Sequence, residues 1–330
     1  MSITDDKIVR GRGSMRGDGV SGPPPDDDVM VPIAVVTAGS DDYVRKITPD
    51  GNLEWEVDTG GTVRAVTSTP QATYYADDDE TARRLDSESG NTVWSFSLSA
   101  DGRSIAGDDQ GFVYVGETDA FGSDGLRKLA VSDGTEDDSG HWPVLGGERV
   151  DACAIGPWGV YAGGNNNEIS LFDFDNGDEV WSRDTGDVAW DAAVDPDGWV
   201  YVASRDGSVY AFDAANGEPK DGWPVSTGAS QAYAVSTYKD GSILVGDSNG
   251  NAKRIGPNGT TIWTYDSDGS SIWSAATDPQ GRAYIGTNSP TIESIGAEGE
   301  KRWRFEPYGG TVFEIEIIPG PYGAFPEMWL

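Results

Sequence analysis

The chain has 330 residues, of which 37% are hydrophobic, and its 56 acidic residues outweigh 23 basic ones to give a net charge of −33 at pH 7. The length allows one large repeat domain or two ordinary domains. Nucleic acid is disfavoured as the main partner, because its phosphates would meet a strongly negative surface. No stretch is long and apolar enough for a membrane span, so none is expected.

The net charge also predicts the medium in which the protein works. In dilute buffer a surface of this charge would repel itself and loosen the fold. Molar salt shortens the electrostatic screening length to about 3 Å and removes most of that penalty. We therefore expect a salt-rich cytoplasm or brine, belonging to a haloarchaeon or to a haloarchaeal virus. An ordinary acidic protein is the alternative.

Residues 1–31 precede the repeats and are predicted to form an extended N-terminal arm. They include four of the chain's 23 basic residues, Lys7, Arg10, Arg12 and Arg16. The sequence GPPPDDD at 22–28 favours a stiff polyproline spacer. The segment has no apolar core of the kind found in signal peptides, so we expect no signal peptide. The arm is either disordered or a docking segment whose arginines bind carboxylates of another protein subunit.

Residues 32–320 repeat one pattern, a glycine followed after a few residues by a tryptophan. Seven such tryptophans recur 39 to 48 residues apart. A period near 40 with strand-like content is typical of propeller blades. The seven pairs are Gly51 and Trp55, Gly90 and Trp94, Gly134 and Trp142, Gly177 and Trp181, Gly217 and Trp223, Gly259 and Trp263, and Gly299 and Trp303.

Each unit is predicted to hold four short strands. A small-residue run such as DAAVDPDG (191–198) is followed by WVYVA (199–203), by SVYAFDAANG (208–217) and by the strand with the tryptophan. Alternating apolar residues and glycine or asparagine turns favour hairpins over helices. We expect an all-β, seven-bladed β-propeller of four-stranded blades, in which each tryptophan packs on the neighbouring blade. The residues expected to line the crowded axis are Ala192, Ala193, Ala275 and Ala276.

The two ends of the repeat region predict how the ring closes. The first unit lacks an innermost strand, whereas TVFEIEIIPG (311–320) matches such a strand and has no blade of its own. We expect it to pair beside PIAVVTAG (32–39), which would hide two strand edges.

Residues 321–330 form an apolar C-terminal tail. Its large side chains are Phe325, Met328, Trp329 and Leu330. Aromatic residues and methionine are enriched at protein interfaces. The tail is therefore expected either to fold back on the ring or to enter a neighbouring subunit.

The stretches DGSVYAFDAANG (206–217) and EISLFDFDNGDEVW (168–181) resemble the PQQ-like, or quinoprotein dehydrogenase-like, propeller repeats. The resemblance covers about residues 33–320 and implies the fold more strongly than a function. Dehydrogenases of that family are larger, are exported and often use adjacent cysteines beside the quinone, whereas Cys153 is the only cysteine here. The resemblance therefore implies the non-enzymatic branch of assembly scaffolds and binding propellers, with no cofactor.

No residue set predicts a catalytic, cofactor or metal site. His141 is the only histidine and has no partner motif, while Cys153 is expected to be inert core. Acidic loops at 77–80, 195–198 and 266–269 could hold a hydrated cation but lack the ligand ladder of a calcium loop. The repeat places Asp191 and Asp195 near the axis, which leaves open a carboxylate site.

These patterns predict a non-catalytic structural or interaction subunit of a haloarchaeal virus particle, such as a tail, turret, spike or capsid decoration. The arm and tail would bind other subunits, and one face would be free for a host surface receptor. The alternatives are a cytoplasmic interaction scaffold of a haloarchaeon, and a hydrolase or lyase at the channel mouth.

Overall fold

A computed structural model describes residues 32–69, 71–108, 110–118, 125–306 and 309–319, of which residues 32, 33 and 319 are described by their backbone alone. All regular elements within these ranges are β-strands, and they form seven antiparallel sheets. The predicted all-β, seven-bladed propeller is thus confirmed. The predicted arm (1–31) and tail (321–330) lie outside the described residues and stay predictions.

The strands are short, and most hold five or six residues. In chain order they are β1 (Pro32–Gly39), β2 (Tyr43–Ile47), β3 (Leu53–Asp58), β4 (Val63–Ser68), β5 (Ala72–Asp77), β6 (Thr81–Asp86), β7 (Thr92–Ser97), β8 (Gly102–Gly107), β9 (Phe112–Glu117), β10 (Leu126–Ala130), β11 (Val150–Gly156), β12 (Gly159–Gly164), β13 (Glu168–Phe172), β14 (Glu179–Asp184), β15 (Ala189–Val194), β16 (Trp199–Ser204), β17 (Ser208–Asp213), β18 (Val225–Ser226), β19 (Ala232–Thr237), β20 (Ile243–Asp247), β21 (Asn251–Ile255), β22 (Thr261–Asp266), β23 (Ile272–Thr277), β24 (Ala283–Thr287), β25 (Ile292–Ile295), β26 (Lys301–Phe305) and β27 (Val312–Pro319).

The first blade joins the two ends of the repeat region. Its strand order is β27-β1-β2-β3, and β27 pairs antiparallel with β1, with Val35 opposite Ile317 and Thr37 opposite Ile315. The predicted closure is confirmed. The other blades are β4–β7, β8–β10, β11–β14, β15–β18, β19–β22 and β23–β26.

The third blade departs from the predicted four strands. Its sheet holds β8, β9 and β10, and the outer position is occupied by an irregular segment that meets β10 only at two isolated bridges, Leu126 with Val144 and Leu129 with Glu136. The cause is the insertion between Gly134 and Trp142, which breaks the regular pairing register. Trp142 is nevertheless buried, with its ring centroid 5.2 Å from that of Tyr114.

The hydrophobic core lies between blades rather than within them. One cluster joins Tyr161 and Leu171 of the fourth blade to Val200 and Phe212 of the fifth. Because each sheet shares its apolar faces with its neighbours, the blades depend on a complete ring.

The repeated tryptophans seal these interfaces. The indole of Trp181 donates a hydrogen bond of 3.2 Å to the carbonyl oxygen of Ala214 in the next blade. The equivalent bonds run from Trp55 to Ser87, Trp94 to Val131, Trp223 to Pro257, Trp263 to Ala297 and Trp303 to Pro49. The last of them crosses from the seventh blade to the first, and so reinforces the closure.

The ring has two different faces. The innermost strands β27, β4, β8, β11, β15, β19 and β23 surround a central channel and all begin at one face, here named the mouth face. Residues 32 and 319 pair at the opposite end of these strands, here named the terminal face. Residues 1–31 and 320–330 therefore connect to the ring at the terminal face.

Candidate functional site

The mouth of the channel is lined by the second residue of each innermost strand. Around the ring these residues are Phe313, Arg64, Arg103, Asp151, Trp190, Tyr233 and Trp273. Each lies at a register shift of its strand pair, as between Val63 and Ala65 or between Ile272 and Ser274. A bulge of this kind re-aims one side chain, and here seven bulges turn seven side chains toward the axis.

The residues at the mouth differ from the prediction that small side chains line the whole axis. The predicted alanines Ala192, Ala193, Ala275 and Ala276 do line the channel, but only deeper in the ring. At the mouth the axis is surrounded by large side chains, which line an open pocket. Concave sites lined by aromatic side chains and a few polar groups are typical of small-molecule binding.

Four consecutive blades contribute an aromatic arc, which consists of Trp190, Tyr233, Trp273 and Phe313. Tyr233 and Trp273 stack with centroids 4.2 Å apart. Trp190 meets Trp273 edge-on at 6.3 Å, and Phe313 meets Trp273 edge-on at 5.7 Å. These contacts hold the four rings as one rigid, half-buried apolar wall.

The remaining blades contribute a basic arc, which consists of Arg64, Arg103 and Arg149. Arg149 pairs with Asp151 at 2.6 Å, and its guanidinium lies 5.3 Å from the centre of the Trp190 ring. Arg64 lies 4.5 Å from the centre of the Phe313 ring. Two arginines therefore cap the two ends of the aromatic arc by cation–π contacts.

The basic arc holds more positive charge than its close partners neutralise. Among the described residues, the ion pairs of Arg103 and Arg64 are long, 3.6 Å to Asp101 and 3.7 Å to Asp78, while the Nε–H of Arg103 also donates to the Thr118 hydroxyl. Burial lowers the pKa of Arg103, and Arg64 lowers it further. The mouth therefore brings guanidinium groups together with the carboxyl groups of Asp151, Asp191 and Glu314, which line the same pocket.

Three donors at the mouth have no acceptor within the described ranges. They are the indole N–H groups of Trp190 and Trp273 and the Nε–H of Arg64. A buried donor left without an acceptor costs about 1–3 kcal/mol. In the free ring these three donors are buried from solvent.

Carboxylates line the channel below the mouth. Asp191 and Glu314 border both the mouth and the deeper channel, and Glu316 follows. Asp191 accepts backbone N–H bonds of 2.8 Å from Val235 and from Ala192. Burial raises the pKa of Asp191 to about 7 and that of Glu316 to about 8. Burial, and then the charges of Asp191 and Glu316, raise the pKa of Glu314 well above its ordinary value.

The channel carboxylates predict a pH-dependent stability. Between the ordinary aspartate pKa of about 3.9 and the folded value of about 7, the folded state holds a proton on Asp191 that the unfolded chain releases. This stabilisation is complete below about pH 4 and is lost as the pH rises through 7. An amide side chain cannot ionise, so Asp191→Asn is expected to raise the free energy of unfolding by about 1 kcal/mol or more at pH 8, with little change near pH 4.

Chemical denaturation across this pH range in molar salt measures the effect. The matched control is Asp197→Asn, because Asp197 is exposed on the terminal face. Equal pH profiles for Asp191→Asn and the unmodified chain would contradict the prediction.

A hydrolase or lyase was an alternative because Asp191 and Asp195 were both expected near the axis. The structure places the two carboxyl groups at different sites. Asp191 lies in the channel, whereas Asp195 lies in the hairpin at the terminal face, where its Oδ1 accepts the Trp199 N–H at 2.8 Å. That pair does not converge on one pocket. His141 is exposed in the irregular segment of the third blade.

Cys153 was expected in the core but lines the channel. Burial raises the pKa of its thiol to about 12, which keeps the thiol protonated and unreactive. Within the described part of the chain, no three His, Cys, Asp or Glu side chains come together to hold a metal ion. The same residues include no long apolar helix that could cross a bilayer.

The sequence patterns missed the mouth residues, although they leave a signal. When the units are aligned, a large or charged residue stands second in each innermost strand, as in VRAV (63–66), AWDA (189–192) and IWSA (272–275). The sequence-predicted glycines and tryptophans lie instead in the outer parts of the blades. Lys7, Arg10, Arg12, Arg16 and the tail residues Phe325, Met328, Trp329 and Leu330 lie outside the described residues.

Comparison with known proteins gives one match. A family model described as outer membrane protein assembly factor BamB matches residues 14–139 and 165–252, more than half of the chain. No curated protein matches the chain. PQQ-type repeats of this family occur both in quinoprotein dehydrogenases and in non-enzymatic propellers that mediate protein–protein interaction. With its seven blades and its matching repeats, the chain belongs to the family of PQQ-like propellers described as outer membrane protein assembly factor BamB.

Proposed function

We propose that the protein is a non-catalytic interaction subunit, anchored in a larger assembly by its two terminal segments and presenting its mouth face to a partner. The observation that carries this proposal is the polarity of the ring. Residues 32 and 319 pair at the terminal face, so both predicted anchors connect there, and the aromatic and basic arcs open at the opposite face.

The construction of the ring supports a structural role. The closing strand and the tryptophan bonds between blades join all seven sheets into one body. Family members of the BamB type mediate protein–protein interaction. A rigid ring with anchors on one face and a shaped pocket on the other can hold a recognition surface at a fixed distance from its attachment point.

The assembly that we propose is a haloarchaeal virus particle, in which the propeller is a tail, turret, spike or capsid-decorating subunit. The net charge of −33 supports a working medium of molar salt. A virion subunit needs a firm attachment and a free face for the host surface, and the ring polarity provides for both.

Deletion of residues 1–28 tests the anchor. The shortened chain is expected to keep the cooperative unfolding of the ring, because the deleted residues precede β1, but to lose attachment to the particle. Sedimentation of the native source in a density gradient at molar salt, with mass spectrometry across the fractions, measures attachment. The full chain should band with particles at fixed stoichiometry.

A full-length variant distinguishes the effect of the arm's positive charge from the effect of its length. Replacement of Lys7, Arg10, Arg12 and Arg16 by glutamine keeps the arm but removes its cations. Loss of attachment in this variant would assign binding to the arginine–carboxylate contacts. Unchanged attachment after deletion of residues 1–28 would contradict the anchor. If the full chain stays with soluble cell protein, the proposal of a virion subunit is replaced by that of a cytoplasmic scaffold.

A further inference from the structure

The channel mouth combines three kinds of recognition surface within one open pocket. The aromatic arc offers an apolar wall, the basic arc offers guanidinium donors, and Asp151, Asp191 and Glu314 offer carboxyl oxygens as acceptors. A ligand that satisfies all three must carry an apolar face, an anionic group and hydroxyl donors.

Simpler ligands leave one of these surfaces unused. A neutral sugar has an apolar face and hydroxyl groups but no anion for Arg64 and Arg103. A plain carboxylate or a planar aromatic acid pairs with the arginines but donates nothing to Asp191 and Glu314. Buried polar groups without partners are costly, so such ligands bind less well than one that fills every position.

We propose that the mouth binds a hexuronic acid unit of an acidic glycan, with the sugar ring against the aromatic arc and its carboxylate on the basic arc. The apolar C–H face of the ring packs on the half-buried rings of Tyr233 and Trp273, which already stack with centroids 4.2 Å apart. Planar guanidinium groups bind a carboxylate in a bidentate manner, which selects it over a spherical chloride ion.

The polar side chains that line the pocket support this orientation. Arg64 and Arg103 line it at the basic arc, and Asp191 and Glu314 line it beside Trp190 and Phe313. The guanidinium groups donate to a sugar carboxylate, and the carboxyl oxygens accept from sugar hydroxyl groups. In molar salt long-range attraction is screened, so selection depends on these direct hydrogen-bonded contacts.

The proposal rests on the proposed function in one respect, since it names what a free mouth face would recognise. Its test uses the isolated full-length chain and no particle, so a failed attachment experiment leaves it intact. Binding of an acidic sugar by a chain that never enters particles would separate the two ideas.

Ligand-observed NMR in molar sodium chloride provides the measurement, with D-glucuronate, D-glucose, benzoate and an oligoglutamate peptide as probes. Glucuronate is expected to bind at least about tenfold more tightly than each of the others, as the loss of one charged hydrogen bond implies. Saturation should transfer to its ring protons, because they face the aromatic arc.

Two variants locate the site. Arg103→Gln is expected to weaken glucuronate binding about tenfold or more, whereas Arg302→Gln, on the exposed outer strand β26, should leave it unchanged. Arg149→Gln gives a second test if Arg103→Gln fails to fold, because Arg149 lies on another blade beside Trp190.

Several outcomes would overturn the proposal. Equal binding of glucose would mean that the basic arc selects nothing, and equal binding of benzoate or oligoglutamate would mean a site for carboxylates alone. No saturable binding of glucuronate, or binding equally reduced by Arg302→Gln, would also reject it.

Discussion

A chain that ends after residue 310 is expected to lose the folded ring, whereas one that ends after residue 319 should keep it. The difference between them is β27, the innermost strand of the first blade. Without it, β1 becomes an unpaired inner edge, and the apolar cluster between the seventh and first blades loses Val312, Ile315 and Ile317. An exposed edge of this kind invites aggregation.

The size of the effect follows from burial. Val312, Ile315, Ile317 and Ile318 are between 1% and 9% exposed in the ring. Full burial of one such side chain contributes about 1.5–3 kcal/mol, so four contribute about 6–12 kcal/mol. A typical domain is stable by only about 5–15 kcal/mol in total. The shortened chain should therefore show no cooperative thermal transition by circular dichroism in molar salt.

The longer truncation serves as the control and also examines the tail. It removes residues 320–330 but keeps every described residue of β27. If the tail enters a neighbouring subunit, this chain melts as the full chain does. A lower melting temperature would mean that the tail folds back on the ring. Cooperative melting of the chain that ends at 310, within a few degrees of the full chain, would contradict the predicted role of β27.

The blades and the closure could be predicted from the sequence because both repeat a local pattern. Each unit carries the same alternation of strands and turns, and the segment at 311–320 has the pattern of a strand that one unit lacks. The outer strand of the third blade could not be predicted in the same way. Its insertion keeps Trp142 in place but replaces strand pairing by two bridges, and spacing alone does not distinguish these outcomes.

The candidate site escaped prediction for a different physical reason. A strict alternation of period two assigns each residue to one face of a sheet, but a bulge breaks that rule for a single residue. Arg64, Trp190 and Trp273 reach the axis through such bulges. Their neighbourhood also forms across seven blades far apart in the chain. Asp195, placed near the axis by its unit, lies at the terminal face because it follows the end of β15.

Trp181→Ala is expected to lower the free energy of unfolding by about 3–5 kcal/mol, the usual cost of removing a buried aromatic ring. Trp181 is 6% exposed, bonds to Ala214 of the next blade, and lies 5.8 Å from the ring of Tyr161 and 6.4 Å from that of Phe212. The matched control is Trp158→Ala, because Trp158 is 45% exposed. Chemical denaturation in molar salt should show a change of about 1 kcal/mol or less for it.

Substitution of Gly217 tests why a glycine recurs before the tryptophan of each unit. The glycine is needed either for contact with the tryptophan of the preceding blade or for its turn alone. Its φ is +73°, and a Cβ added there would meet the Trp181 ring at 2.8 Å. Gly217→Ala should therefore cost about 1–2 kcal/mol for the left-handed backbone and about 1–3 kcal/mol more for the clash. In the Trp181→Ala chain the clash with the ring is gone, and the backbone cost remains together with a contact of 3.1 Å to the flexible Arg183 side chain. A double-mutant cycle should therefore give a clear coupling energy. Strictly additive costs would mean that glycine serves the turn alone, and that the repeat of glycine and tryptophan does not join one blade to the next.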